Sequence, residues 1–97
     1  MKKYLEDSKG NILRLSMERW DHIIERHPEM EKLIEFIEET LRDPDYLFEL
    51  DNKELHAIKR FEKSPLSTNK FCVVIYNDDG FIITSFFVRK LKKKYLL

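Results

Sequence analysis

TLRDPDYLFEL, residues Thr40 to Leu50, is the stretch in which the chain changes its period. Before it, apolar residues recur at intervals of three and four; after it they alternate. Asp43-Pro44-Asp45 is the stop between the two regimes, because the residue before a proline is pushed out of the α region and proline has no amide hydrogen to give a helical carbonyl. Working back from the stop, Met30, Leu33, Ile34, Ile37 and Leu41 share one stripe, which predicts a helix from Glu29 to Arg42. Glu31, Glu35, Glu38 and Glu39 lie mostly off that stripe and read as a solvated face.

Working forward, strands are expected over Tyr46–Leu50, Glu54–Glu62, Lys70–Asn77 and Phe81–Arg89. Turns at Asp51-Asn52-Lys53 and Asp78-Asp79-Gly80, with a polar loop from Lys63 to Asn69, join them into an antiparallel meander. Alternation sets Leu55, Ala57, Lys59 and Phe61 against His56, Ile58, Arg60 and Glu62. The two strands that follow are apolar on both sides, so both faces of the sheet are expected to be covered at least in part. His56 reads as decoration of its strand.

At the other end, Tyr4–Glu6 and Ile12–Leu15 flank a run of turn residues from Asp7 to Asn11, the pattern of a small hairpin that serves as a lid or edge. Ser16 is a good N-cap for a first helix, with Glu18 favourably placed near its positive end. At about 100° per residue, Met17, Trp20, Ile23, Ile24 and His27 share an inner arc, and Arg19, His22 and Arg26 an outer one. Pro28 ends this helix. The fold class is therefore α+β: two N-terminal helices packed on a four-stranded antiparallel sheet, with a small N-terminal hairpin, in a single domain over residues 1–97.

Composition narrows the function. The 97 residues carry 18 Lys/Arg and 18 Asp/Glu, a formal net charge of zero that argues against a strong non-specific nucleic-acid binder. The balance is uneven: residues 1–50 hold 8 basic and 13 acidic side chains, net −5, and residues 51–97 hold 10 and 5, net +5. Apolar runs are too short to span a bilayer and the N-terminus lacks an apolar signal core, so a cytosolic protein is expected. A single cysteine, Cys72, excludes a disulfide within the chain and reads as a small buried hydrophobe.

Two histidines on the first helix draw attention. His22 sits between Arg19 and Arg26 in a cationic strip suited to phosphate, or is simply an exposed histidine on a polar face. His27, at the helix end, is a core-edge histidine or a half-buried acid or base. Five residues apart, the two lie roughly 140° apart around the helix and should not share one zinc, so no metal and no cofactor are expected.

Read together, W-x-H-I-x-x-R-H-P-E (Trp20–Glu29), T-L-x-x-P-D (Thr40–Asp45), K-R-F (Lys59–Phe61) and D-G-F-I-I-T (Asp79–Thr84) resemble the phage- and plasmid-associated domains of the barnase, EndoU, colicin and RelE-like nuclease fold. The resemblance runs in order from Ser16 to Lys90. It implies metal-independent RNA cleavage, with the ribose 2′-OH attacking the adjacent phosphate. The residues it points to are His27 or His22 as acid or base, Arg60 to stabilise charge and Thr84 to orient the phosphate. Arg19, Arg26, Lys59, Arg89 and Lys90 are the expected RNA contacts. A further reading is a toxin-like nuclease kept silent by a cognate antitoxin or immunity protein, whose acidic segment would cover the basic half. The alternative is a non-catalytic RNA- or protein-binding module of the same fold, using the helix strip and the Lys-rich tail.

Overall fold

Ser16 starts the first helix as expected, its Oγ accepting the Arg19 amide at 3.1 Å, and α1 runs Met17–Arg26. The computed structural model of the chain describes residues 3–95. Trp20 and Ile23 are buried, Ile24 and His27 half-buried, and the opposite arc faces water. Met17 is an exception to the expected inner arc: at the helix's first position it projects from the edge of the body and is 56% exposed.

Proline at position 28 does more than end α1. His27 leaves helical geometry (φ −134°, ψ 73°), and the chain continues as a 3-10 helix over Pro28–Lys32, with i→i+3 bonds from Met30 to His27 and from Leu33 to Met30. The second α-helix, α2, begins only at Ile34 and ends at Arg42. The single helix expected from Glu29 is thus two pieces. The tighter three-residue repeat stacks Met30 and Leu33 on one side, and Met30 becomes fully buried there.

The remaining elements match the expected meander within a residue or two: β3 Tyr46–Glu49, β4 Glu54–Arg60, β5 Phe71–Asn77 and β6 Ile82–Val88, antiparallel in the order β3-β4-β5-β6. Leu55, Ala57, Cys72, Val74, Tyr76, Ile82 and Phe87 face Trp20, Ile23, Met30, Ile37 and Leu41 across the main core. Each large aliphatic or aromatic side chain buried there contributes roughly 1.5–3 kcal/mol. The register of β5 and β6 shifts between Ile75 and Tyr76 and skips Ile83, a bulge beside the β5–β6 turn.

Two further sequence expectations are corrected. The N-terminal hairpin, β1 Lys3–Glu6 with β2 Ile12–Leu15, is no lid, since Leu5, Leu13 and Leu15 are in the main core. It is tied down by the buried Asp7 carboxylate, which accepts from the Lys9 and Asn11 amides, Asn11 Nδ2 and the Tyr76 hydroxyl at 2.8–3.2 Å. β2 also meets the start of β6, where the Arg14 amide donates to Gly80 O at 2.7 Å.

His56, expected as surface decoration, is only 1% exposed. The C-terminal segment folds over the second face of the sheet, and Tyr95, in a 3-10 turn over Lys93–Tyr95, packs with Ile58 and Val73 there. Its hydroxyl lies 2.5 Å from His56 Nδ1, while Nε2 faces Glu54 Oε1 at 3.2 Å. Both faces of the sheet are therefore covered.

Candidate active site

The hairpin, the first helix and the β5–β6 turn meet around a cavity of about 420 Å³, in the size range of small-ligand sites. Helix α1 supplies Glu18, Arg19 and His22 to it; β2 supplies Arg14; Asn77 comes from the end of β5, Phe81 from the β5–β6 turn, and Ile82 and Ile83 from the start of β6. Glu18 and His22 are one helical turn apart, so their Cβ atoms are separated by about 5–6 Å. The 3.6-residue period that buries Trp20 and Ile23 turns these polar residues to the cavity.

Among the described residues no carboxylate forms an ion pair with Arg14, Arg19 or His22, whereas the strand cations Lys59, Lys70 and Arg60 are engaged: Lys59 with Asp43 at 3.3 Å, Lys70 with Glu62 at 3.7 Å and Arg60 with Glu62. Two guanidinium groups with no acidic partner beside an imidazole form a receptor for a dispersed anionic charge such as phosphate. Glu18 and His22 are an oxygen and a nitrogen acid-base group on the same wall. The cavity can hold an anion and move protons at its edge.

The sequence-derived candidates separate into three places. His22 and Arg19 line the cavity, and Arg26 follows them on the same exposed arc, outside the lining. His27 packs on Phe86 with ring centroids 5.2 Å apart and the planes tilted by 31°, and its Nδ1 is 3.5 Å from Glu29 Oε1. Thr84 precedes Phe86 by two residues on β6 and pairs with Ile75, on the sheet face away from Ile82.

Arg60 lies at the far end of β4. It pairs in register with Phe71 at the start of β5, six residues before Asn77 and hence roughly 20 Å from the cavity end of the sheet. Its amide donates to Asp45 Oδ2 at 2.8 Å and its guanidinium holds Glu62, whose carboxyl is kept below the usual range by Arg60 first and Lys70 second. Lys59 Nζ donates to Asp43 O at 2.9 Å. Arg89 and Lys90, both exposed, follow Val88, which pairs with Phe71, so they share the Arg60 end.

Other reactive groups are enclosed. Burial lifts the Cys72 thiol to about 11, which keeps it protonated and inert. Burial also lowers the His56 pKa, opposed by its hydrogen bond with Glu54 and reinforced by Lys94.

Arg14, Glu18 and Phe81 were not among the sequence candidates. The spacing of Glu18 and His22 is legible as an i, i+4 pair, but Arg14 and Phe81 join them only because β2 docks on β6, a long-range contact with no local signature.

Residues 1–97 match the family model described as phage-Barnase-EndoU-ColicinE5/D-RelE like nuclease2. No curated protein and no solved structure matches the chain.

Proposed function

The chain belongs to the phage-Barnase-EndoU-ColicinE5/D-RelE like nuclease2 family, and from that premise we propose that the Arg14–Glu18–Arg19–His22 cavity cleaves RNA without a metal ion. One observation carries the reading: two arginines that form no ion pair among the described residues share a cavity with an acid-base pair one helical turn apart.

In the proposed reaction Glu18 takes the proton of the ribose 2′-OH, and the 2′-oxygen forms a bond to the adjacent phosphorus. Arg14 and Arg19 stabilise the extra charge on the phosphorane oxygens, the role in which fixed cations are most effective. The bond from phosphorus to the 5′-oxygen then breaks, and protonated His22 delivers its proton to that leaving oxygen. The products are a 2′,3′-cyclic phosphate and a free 5′-hydroxyl.

His22 is preferred to His27 for the acid because His27 is occupied by Phe86 and Glu29 and lies outside the cavity. Arg26 extends the cationic strip toward the neighbouring backbone phosphate. Thr84, Arg60, Lys59, Arg89 and Lys90 are assigned to outlying strand contacts. The proposed place of action is the cytosol; among the described residues no helix is long and apolar enough to cross a membrane. A partner of the antitoxin or immunity kind would silence the protein by placing carboxylates on Arg14 and Arg19.

Replacing the ribose at the cleaved position by 2′-deoxyribose tests the chemistry. The reading predicts that cleavage stops there while binding persists; continued cleavage of the deoxy-substituted strand overturns it.

A further inference from the structure

Phe81 is 46% exposed, an unusual position for a phenylalanine, and it stands at the edge of the cavity. Its backbone is held on both sides. The Phe81 amide donates to Asn77 Oδ1 at 3.1 Å, its carbonyl accepts from the Asn77 amide at 3.0 Å, and Gly80 before it is pinned by Arg14. Gly80 has φ +93°, and a Cβ there would come within 3.1 Å of Ile12 O, so the turn is closed around a glycine. Above the ring, 5.5 Å from its centroid, lies the Arg14 guanidinium.

The surroundings extend the same surface. In the hairpin register Tyr4 faces Arg14 and Glu6 faces Ile12, so Tyr4, Ile12 and Arg14 share the outer face beside Phe81, with Glu6 beyond Ile12 at its far end. Tyr4 and Ile12 are 57% and 58% exposed. An apolar, partly aromatic surface thus adjoins a cationic cavity, with Arg14 belonging to both.

We propose that Phe81 is a stacking platform for one base of a single-stranded nucleic acid whose adjoining phosphate is held by Arg14 and Arg19. The inference rests on the nucleic-acid reading of the cavity given above. An aromatic ring next to cations is the combination by which single strands are held irrespective of sequence: bases stack and the backbone is neutralised. A base already stacked in a duplex presents no free face, so the platform selects loops, ends and unpaired stretches. Because the turn is fixed before ligand arrives, stacking needs little reorganisation of the chain.

The test uses fluorescence anisotropy with the full chain and non-cleavable, labelled 2′-O-methyl RNA octamers, oligo-U and oligo-A, each alone and annealed to its complement. The wild type should bind the single strands at least about 5-fold more tightly than the duplexes. Phe81→Leu, checked for folding by circular dichroism and urea melting, should lose about 5- to 150-fold in single-strand affinity, the range of one base–aromatic stack, and with it the preference. Phe81→Trp should retain both, which separates loss of the aromatic face from a folding defect. Arg19→Ala should weaken single strand and duplex alike and lower the salt slope by about 1.

Wild-type binding that Arg19→Ala weakens and Phe81→Leu leaves untouched overturns the platform while the cavity reading stands, and makes the patch a protein-contact surface instead. No binding of any RNA by the wild type overturns both.

Discussion

Asp7→Ala is the perturbation that most directly tests how the hairpin is fastened to the sheet. The Asp7 carboxylate is buried, 3% exposed as a residue, and it accepts four hydrogen bonds, from the Lys9 amide, the Asn11 amide, Asn11 Nδ2 and the Tyr76 hydroxyl. Three of the donors belong to the turn and can turn to water when the carboxylate is gone. Tyr76 cannot: it is 1% exposed, and burial together with the Asp7 charge and hydrogen bond pushes its hydroxyl above the usual phenol range. An orphaned buried hydroxyl costs about 1–3 kcal/mol, and hydrogen bonds to a charged group contribute about 1.5–3 kcal/mol each before overlap and desolvation are subtracted. The net expectation is a loss of about 3 kcal/mol, or a melting temperature about 12–24 °C lower for a domain of this size.

Urea denaturation of Asp7→Ala, Tyr76→Phe and the double variant forms the assay. Tyr76→Phe added to Asp7→Ala should restore about 1 kcal/mol, since it removes the orphaned hydroxyl. If Asp7→Ala costs under about 1 kcal/mol, or the two substitutions are strictly additive, the buried carboxylate is not the fastening described here.

The pH dependence of stability should report His56. Its folded-state pKa is lowered by burial from the ordinary 6.5, so the folded chain resists a proton that the unfolded chain takes up. The stability this neutral imidazole contributes is whole above pH 6.5 and is lost as pH falls from there through the folded-state pKa; urea midpoints at pH 7.5, 6.5 and 5.5 should fall accordingly, and His56→Gln should flatten that trend. Tyr95→Phe keeps the ring contact with Phe48 but removes the hydroxyl beside His56 Nδ1, and should cost about 1–2 kcal/mol by the same melts. Gly80→Ala meets both a left-handed backbone and Ile12 O at 3.1 Å, so it should lose about 1–3 kcal/mol and weaken RNA binding in anisotropy by shifting Phe81 against Arg14.

The fold class was legible because period and punctuation agree along the chain. Asp43-Pro44-Asp45 separates a helical stripe from alternating strands, and short turns dictate antiparallel neighbours. Less legible was the passage after Pro28, because a 3-10 turn and an α-helix space their apolar residues almost alike over five residues. Leu5, Leu13 and Leu15 alternate like any edge hairpin, and only docking against the core distinguishes them from a lid. His56 was misplaced for a related reason: its cover comes from Tyr95, thirty-nine residues away.

The candidate site was legible as helix chemistry and illegible as a constellation. Arg19 and His22 share a helical arc, which the sequence states, and the structure adds Arg14 and Phe81 through the β2–β6 contact. It does not bring Arg60 to His22, since the two occupy opposite ends of the sheet. Strand order and register decide that separation, and neither is visible in a K-R-F motif.

Cleavage of a labelled single-stranded RNA in excess EDTA, comparing the wild type with folded His22→Ala, His27→Ala and Arg60→Ala variants, tests the central claim most directly. The cavity assignment predicts chelator-resistant cleavage with 2′,3′-cyclic phosphate ends that drops about 10²–10⁴-fold in His22→Ala and survives in His27→Ala and Arg60→Ala. Cleavage that persists in His22→Ala and disappears in His27→Ala, or a wild type that cleaves no RNA at all, contradicts it.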